Sequence, residues 1–167
     1  MSDNRNEEYV PKLETWTPSL HKPITLVKPL HWAKWRRVNV AWRADLFSPS
    51  SPDRLLDHAF AVMALGYQHQ YAIQTRYLPR AMAYLEDSYV PERVWEGVQL
   101  LMQDYPDQLC DWMGSNATLL SWWHETLERR GAGAKPILGR KVLEWPMEHV
   151  SIFQPAEAPA NLAEVAK

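Results

Sequence analysis

The chain contains very little cysteine, since Cys110 is the only one among 167 residues. A single thiol forms no disulfide within the chain and cannot build a metal site from several cysteines. Long apolar runs are also missing, and none approaches the roughly 18 residues that a transmembrane helix requires. The first ten residues are polar and acidic, which predicts no secretory signal peptide. We therefore expect a cytoplasmic protein that contacts no membrane and holds no metal or cofactor.

Charge of one sign is not in excess either, because the formal net charge is -2. No global basic field therefore attracts nucleic acid or an anionic membrane. Tryptophan, in contrast, is abundant, with nine residues in the chain. Core and groove packing is the simplest explanation for that number, and a partner-binding or base-stacking surface is the alternative.

The length predicts one domain with a substantial core. Residues 1–17 are polar and predict a flexible arm, and residues 18–35 contain three prolines and predict an extended surface segment. The end at 155–167 is rich in alanine, proline and glutamate, which predicts a flexible tail. We expect a single α/β domain over residues 18–154.

The stretch from residue 36 to residue 103 organises the chain, and it reads as strand, helix, strand, helix, strand. Around Val38, Val40 and Trp42 the apolar residues fit both a helical and a strand period, and the β-branched pair slightly favours a strand. A second short strand is predicted within 69–76, and a third is predicted around 94–98.

Two helices are predicted between these strands. Ser51 is a suitable N-cap and Pro52 a suitable first helical residue. An apolar helical face follows and reaches Gly66, which can end the helix in the left-handed conformation. A second helix begins at Pro79, and beyond residue 104 further helices and one or two short terminal strands are predicted.

Alternating strands and helices predict parallel βαβ units with right-handed crossovers. In such sheets ligands lie beyond the carboxyl ends of the strands, here at residues 42–45, 75–77 and 98–100. A short parallel sheet also leaves open edges and an uncovered face. We therefore expect a second copy of the chain or a protein partner to cover that face, unless the tryptophan-rich helix near Trp122 does so.

Four segments of the sequence follow the pattern of one known family. They are PLHWAKWRRVNVAWRADLFS at 29–48, SPDRLLDHAFAVMA at 51–64, YAIQTRYLPRAMAYL at 71–85 and VWEGVQLLMQ at 94–103. In this order and at this spacing they resemble the phage-associated, radical-SAM-like family named after mycobacteriophage gene products thirty-seven and sixty-eight. The resemblance implies a phage or prophage origin, a strand at 37–43, and a partial TIM-barrel-like or open parallel sheet. It also implies an iron–sulfur cluster on a three-cysteine motif near the amino terminus.

The chain departs from this family at the cofactor site. It has no cysteine before Arg36, and Cys110 alone cannot supply the thiolates that a cluster needs. A polar Ser-Val-Glu-Asn of the family is replaced by Gln-Leu-Leu-Met at 99–102, and the bulky Trp42 is expected to fill ligand space. We expect the scaffold to be retained and radical chemistry to be lost.

The candidate ligand-binding site consists of Asp45, Thr75, Arg76 and Arg80 at the predicted strand ends. An anion or a small substrate suits these side chains, and a structural ion pair with a helix cap is the plainer interpretation. His58 beside Asp57 predicts no catalytic dyad, because neighbours in a helix do not face each other.

A second candidate surface mixes aromatic and cationic residues at Trp32, Lys34, Trp35, Arg36 and Arg37. Such a mixture suits single-stranded nucleic acid through stacking and phosphate contacts. The plainer interpretation is the beginning of a strand with solvated charges.

These observations leave three functional hypotheses. The first is a binding or assembly protein on a degenerate radical-SAM-like scaffold. The second is a nucleic-acid-binding accessory protein that uses the cluster at residues 32–37. The third is an enzyme of another class with a strand-end pocket at Asp45 and Arg76.

Overall fold

The computed structural model describes residues 9–88, 91–121, 125 and 149–155. These residues form an α/β fold around a four-stranded sheet whose order is β1-β2-β3-β4 and whose neighbouring strands are all parallel. The strands are β1 at Lys12–Trp16, β2 at Arg36–Val40, β3 at Gln70–Gln74 and β4 at Val150–Phe153. In the described part of the chain the sheet is open and does not close into a barrel. The predicted fold class is therefore confirmed.

Five labelled helices connect the strands. They are α1 at Pro23–Leu26, α2 at Asp53–Leu65, α3 at Leu78–Ser88, α4 at Pro91–Asp104 and α5 at Pro106–Ser115. A 3-10 helix at Lys28–His31 follows α1, and residues 117–121 are also helical. Of the rest of the helix predicted around Trp122, Glu125 is helical and the other residues lie outside the described ones.

The two faces of the sheet differ in burial because successive strand residues point to opposite sides. One face is apolar and packs on the helices; its fully buried members are Trp16, Val38, Val40, Tyr71 and Ile73. The opposite face, here called the open face, is exposed or half-exposed and consists of Leu13, Thr15, Arg37, Asn39, Gln70, Ala72, Gln74, Ser151 and Phe153. A parallel sheet normally has both faces covered, so the open face is unusual.

Helix α2 forms the centre of the core, and it packs against α4 as well as against the sheet side. The helices come close at Gly97, where an added Cβ would lie 3.1 Å from the carbonyl oxygen of Asp57. Pro52 rather than Ser51 precedes the helix, without a side-chain cap. Gly66 ends the helix at φ -91, so the predicted left-handed ending is wrong.

The predicted third strand around 94–98 is wrong, because this segment lies inside helix α4. Val98 and Leu101 are both fully buried and are spaced by one helical turn, which places them on the same side of α4. Gly97 permits the close approach of α2 rather than of a neighbouring strand or a ligand. The third strand end predicted at 98–100 therefore does not exist, and β4 takes the place beside β3.

The amino-terminal part also differs from its prediction. Five residues of the predicted flexible arm, Lys12–Trp16, form the edge strand β1 and pair with β2. The Trp16 indole is buried and its Nε1 donates to the carbonyl oxygen of Thr25 at 2.8 Å. The predicted extended segment contains α1 and the 3-10 helix, which bury Leu26 and Leu30. The polar sequence of this segment gives no local signal of a strand, because the strand is stabilised by long-range pairing with β2.

Candidate functional site

Asp45 joins the ends of two neighbouring strands. It lies in the turn after β2 with φ 50, a left-handed conformation that Asp tolerates better than most residues. One carboxylate oxygen accepts from the Phe47 N–H at 3.1 Å and from the Thr75 hydroxyl at 2.7 Å. The other accepts from the Arg76 N–H at 2.8 Å. The carboxylate is therefore engaged by three donors of its own chain.

Thr75 is fully buried and completes this junction. Its hydroxyl donates to Asp45 and accepts from the Tyr77 N–H at 3.0 Å. Its own N–H donates to the Phe153 carbonyl oxygen at 3.0 Å, which links the end of β3 to β4. The hydroxyl is thus used both as a donor and as an acceptor within the chain, which is a structural role.

Arg80 holds the loop that leads into α2. Its Nη1 donates to the carbonyl oxygens of Phe47 and Ser48. Its Nη2 donates to the Ser51 carbonyl oxygen at 2.8 Å and to the exposed Asp53 carboxylate at 3.1 Å. The guanidinium therefore forms an ion pair with Asp53, which lies in the first turn of α2.

The structure brings together only part of the predicted strand-end site. Asp45, Thr75 and the backbone of Arg76 meet, while the side chain of Arg76 is exposed. Trp42 does not fill a pocket there, since it is 42% exposed and its ring lies 6.0 Å from that of Phe153. The contacts at this edge are those of a structural junction built from hydrogen bonds, and the ion pair of Arg80 is with Asp53.

The aromatic and cationic cluster at residues 32–37 is largely occupied by internal contacts. Trp32 packs edge-on against His69 at 5.4 Å between ring centroids and contacts the Arg36 guanidinium at 5.6 Å. Arg36 pairs with Glu14 at 3.0 Å. The guanidinium of Arg37 is exposed and belongs to the open face.

Tyr9 contacts two further residues of that cluster, Trp35 and Lys34. Its hydroxyl donates to the Trp35 carbonyl oxygen at 2.8 Å, and its ring lies 6.0 Å from the Trp35 ring. The Lys34 ammonium stands 5.2 Å from the centroid of the Tyr9 ring. The structure therefore does not present these side chains as one free binding surface.

A buried histidine network was missed by sequence reasoning. His58 is fully buried; its Nδ1 donates to the Arg54 carbonyl oxygen at 2.6 Å and its Nε2 to the Asp104 carboxylate at 2.8 Å. Both ring nitrogens are therefore engaged by oxygen atoms of the chain itself. Arg54 also donates to Asp104, and this hydrogen bond, more than the one from His58, lowers the pKa of the carboxyl. His58 and Arg54 are 46 and 50 residues from Asp104, so sequence spacing gives no signal of this network.

His69 and His149 form a histidine pair directly before the strands β3 and β4. His69 Nδ1 accepts from the Arg36 N–H at 2.9 Å, and Nε2 donates to the Pro29 carbonyl oxygen at 2.8 Å. Burial lowers the pKa of His69, and the charge of Arg36 lowers it further. Burial lowers the pKa of His149 to about 3, with a contribution from His69. Both rings are neutral near pH 7.

The sequence predicted that one face of the sheet would be uncovered, but it did not indicate which residues form that face. Its amino-terminal half forms a groove of about 280 Å³ lined by Leu13, Arg37, Asn39, Gln70, Ala72 and Ser151, among others. Alternation of Arg37 and Asn39 with the buried Val38 and Val40 was the available signal. The sequence carries polar side chains where a barrel interior would be apolar.

The donor set does not fit the iron–sulfur cluster that the resemblance implies. Cluster ligation requires several thiolates, and the one thiol of the chain, Cys110, lies exposed on α5. Among the described residues no group of three His, Cys, Asp or Glu side chains is placed to hold a metal ion.

Comparison with known families gives one match. A family described as Protein of unknown function (DUF5131) matches residues 2–122, which is well over half of the chain. The chain belongs to the DUF5131 family. The DUF5131 match contains β1 to β3, α1 to α5 and the Asp45 junction, while β4 lies outside it. No curated protein and no solved structure matches the chain.

Among the helices of the described residues, none combines the length and the apolar character needed to cross a bilayer.

Proposed function

We propose that this DUF5131 protein is a phage- or prophage-derived binding or assembly protein, built on a degenerate radical-SAM-like scaffold without an iron–sulfur cluster of its own. The four matching segments support the kinship, and consecutive parallel strands in the order β1-β2-β3-β4 are the arrangement of a barrel segment. One cysteine in the chain supports the loss of the cluster.

One observation carries the binding role: Asp45, Thr75 and Arg80 at the strand ends are committed to internal partners, while the open face is not covered by described residues. Asp45 and Thr75 bond to the chain itself, and Arg80 bonds to loop carbonyl groups. A reacting group must be free to meet its substrate, which argues against the hypothesis of a strand-end enzyme. The open face offers amides, hydroxyls and a guanidinium to a partner.

Anaerobic reconstitution with iron and sulfide tests this proposal. We expect the purified protein to remain colourless and free of bound iron, because one thiol cannot hold a cluster. Cys110→Ser is the control for iron held loosely by the exposed thiol. A stoichiometric cluster with visible absorption in the wild-type protein would overturn the proposal.

A further inference from the structure

The open face has an aromatic end and a polar middle. Phe153 ends β4 and its ring contacts that of Trp42, which follows β2, across the end of β3; the contact is edge-on, with 61° between the ring planes. Both are exposed, at 42% for Trp42 and 38% for Phe153. These two inclined rings are here called the aromatic platform, and each exposed ring offers a surface on which another ring system can stack.

Toward the amino ends of the strands from this platform, the residues of the open face are mostly polar. Thr15, Asn39, Ala72 and Ser151 are adjacent in register across all four strands. The small Ala72 leaves room at the centre, between the Asn39 amide and the Ser151 hydroxyl. Gln74 stands beside Phe153 in the next row on the same face.

This polarity decides which kind of partner fits. An apolar helix laid on the face would cover amides and hydroxyls without bonding to them, and each unsatisfied group is costly when buried. A partner that carries its own donors and acceptors on flat edges satisfies them instead. Nucleic-acid bases combine such edges with a stacking face.

The charges favour a partner that is negative. Arg37 is the one charged residue of the open face as defined, and Arg43 and Arg76 are exposed beyond the carboxyl ends of β2 and β3. The nearby carboxylate, Asp45, already accepts three hydrogen bonds from its own chain. Cations thus flank the aromatic platform, which suits phosphates and gives no advantage to a neutral sugar chain.

We propose that the open face binds single-stranded nucleic acid. Bases stack on Trp42 and Phe153, the amides of Asn39 and Gln74 meet base edges, and Arg37 contacts a phosphate. The inference rests on the proposed binding role and names its partner. Four residues of β2 from Arg37 onward span about 13 Å, which accommodates roughly two to four nucleotides.

This surface differs from the cluster at residues 32–37 that the sequence suggested. Trp35 and Trp42 are both exposed tryptophans, but Trp35 packs with Tyr9 while Trp42 belongs to the platform. Replacing each of them in turn separates the two surfaces.

Fluorescence anisotropy of labelled single-stranded DNA and RNA of about 12 nucleotides tests the proposal at low salt with the full chain. Trp42→Ala should weaken binding about fivefold to a hundredfold, the range for one base–aromatic stack. The matched variant Trp35→Ala should change it less than about twofold. Arg37→Ala should reduce the slope of log affinity against log salt by about one. The unchanged thermal midpoint of each variant confirms that the fold is intact.

Several results would overturn the inference: no binding of either strand at low salt, equal losses for Trp35→Ala and Trp42→Ala, or binding of free mononucleotides but not of strands. A dimer in sedimentation that dissociates on Ser151→Arg would also overturn it, because a second copy then occupies the face. These results leave the reconstitution experiment unaffected, so the two proposals fail separately.

Discussion

Asp45 is the residue that fixes the geometry of the strand ends. Its carboxylate ties the turn after β2 to the end of β3 through three hydrogen bonds, one of them to the buried Thr75. Its backbone stands in a conformation, φ 50, that is strained for most side chains. Both properties make the residue structural.

Asp45→Ala should therefore destabilise the protein by about 2–4 kcal/mol, because a buried hydroxyl and two N–H groups lose their acceptor. Asp53→Ala is the matched control, since that carboxylate is exposed and its loss should cost less than about 1 kcal/mol. Urea unfolding followed by tryptophan fluorescence measures both. Equal losses for the two variants would contradict the structural role of Asp45.

The sequence predicted the residues of this junction but not the atoms that meet. Asp45, Thr75 and Arg76 were placed together because parallel strands end at the same edge. The contacts of Arg80 could not be predicted, because loop carbonyl oxygens and Asp53 come within reach only after the chain folds. Backbone acceptors have no signature in side-chain spacing.

At the scale of elements, the contact of α2 with α4 depends on the absence of a side chain at Gly97. An added Cβ would meet the backbone of α2 at 3.1 Å, while one at Gly114 in α5 would meet nothing within 4 Å. The two glycines therefore form a natural pair for comparison.

Gly97→Leu should cost about 2–4 kcal/mol, because a large side chain separates the two helices. Gly114→Leu should be neutral or slightly stabilising, since leucine favours a helix more than glycine does. Thermal unfolding measured by circular dichroism compares them. The packing argument fails if Gly97→Leu is as stable as Gly114→Leu.

Helices α2 and α3 and strands β2 and β3 could be predicted from the sequence because their periods are clear and their ends carry proline, glycine or serine. The segment around 94–98 could not, because a few β-branched and aromatic residues next to a glycine suit a strand as well as a helix. Strand β1 was missed for a different reason: its burial pattern leaves one fully buried residue, Trp16. Pairing with β2, rather than local preference, makes it a strand.

At the scale of the whole molecule, His69 and His149 link separate parts of the fold. His69 connects β2 and the 3-10 helix through Arg36 and Pro29, and His149 donates to the Met63 carbonyl oxygen of α2 at 3.0 Å. Their pKa values are lower than the ordinary 6.5 of an unfolded chain. The unfolded state therefore takes up these protons first as the pH falls.

Stability should accordingly decrease as the pH falls below about 6.5, by at most about 1.4 kcal/mol per pH unit for each histidine. For His149 the loss continues toward its folded pKa of about 3. Urea unfolding at pH 7, 6 and 5 measures the slope, and His149→Gln, which can still donate to Met63, should reduce it. A stability independent of pH between 6.5 and 5 would contradict the buried neutral state of the pair.

Strand β4 joins the sheet from far along the chain: its partner β3 ends at Gln74, whereas β4 begins at Val150. Closing so long a connection has an entropic cost before any ladder bond forms. We infer that β1, β2 and β3 assemble early and that β4 docks in a late, slow phase of folding. Before β4 docks, Phe153 cannot contact Trp42. The aromatic platform should therefore form at the rate at which β4 joins the sheet.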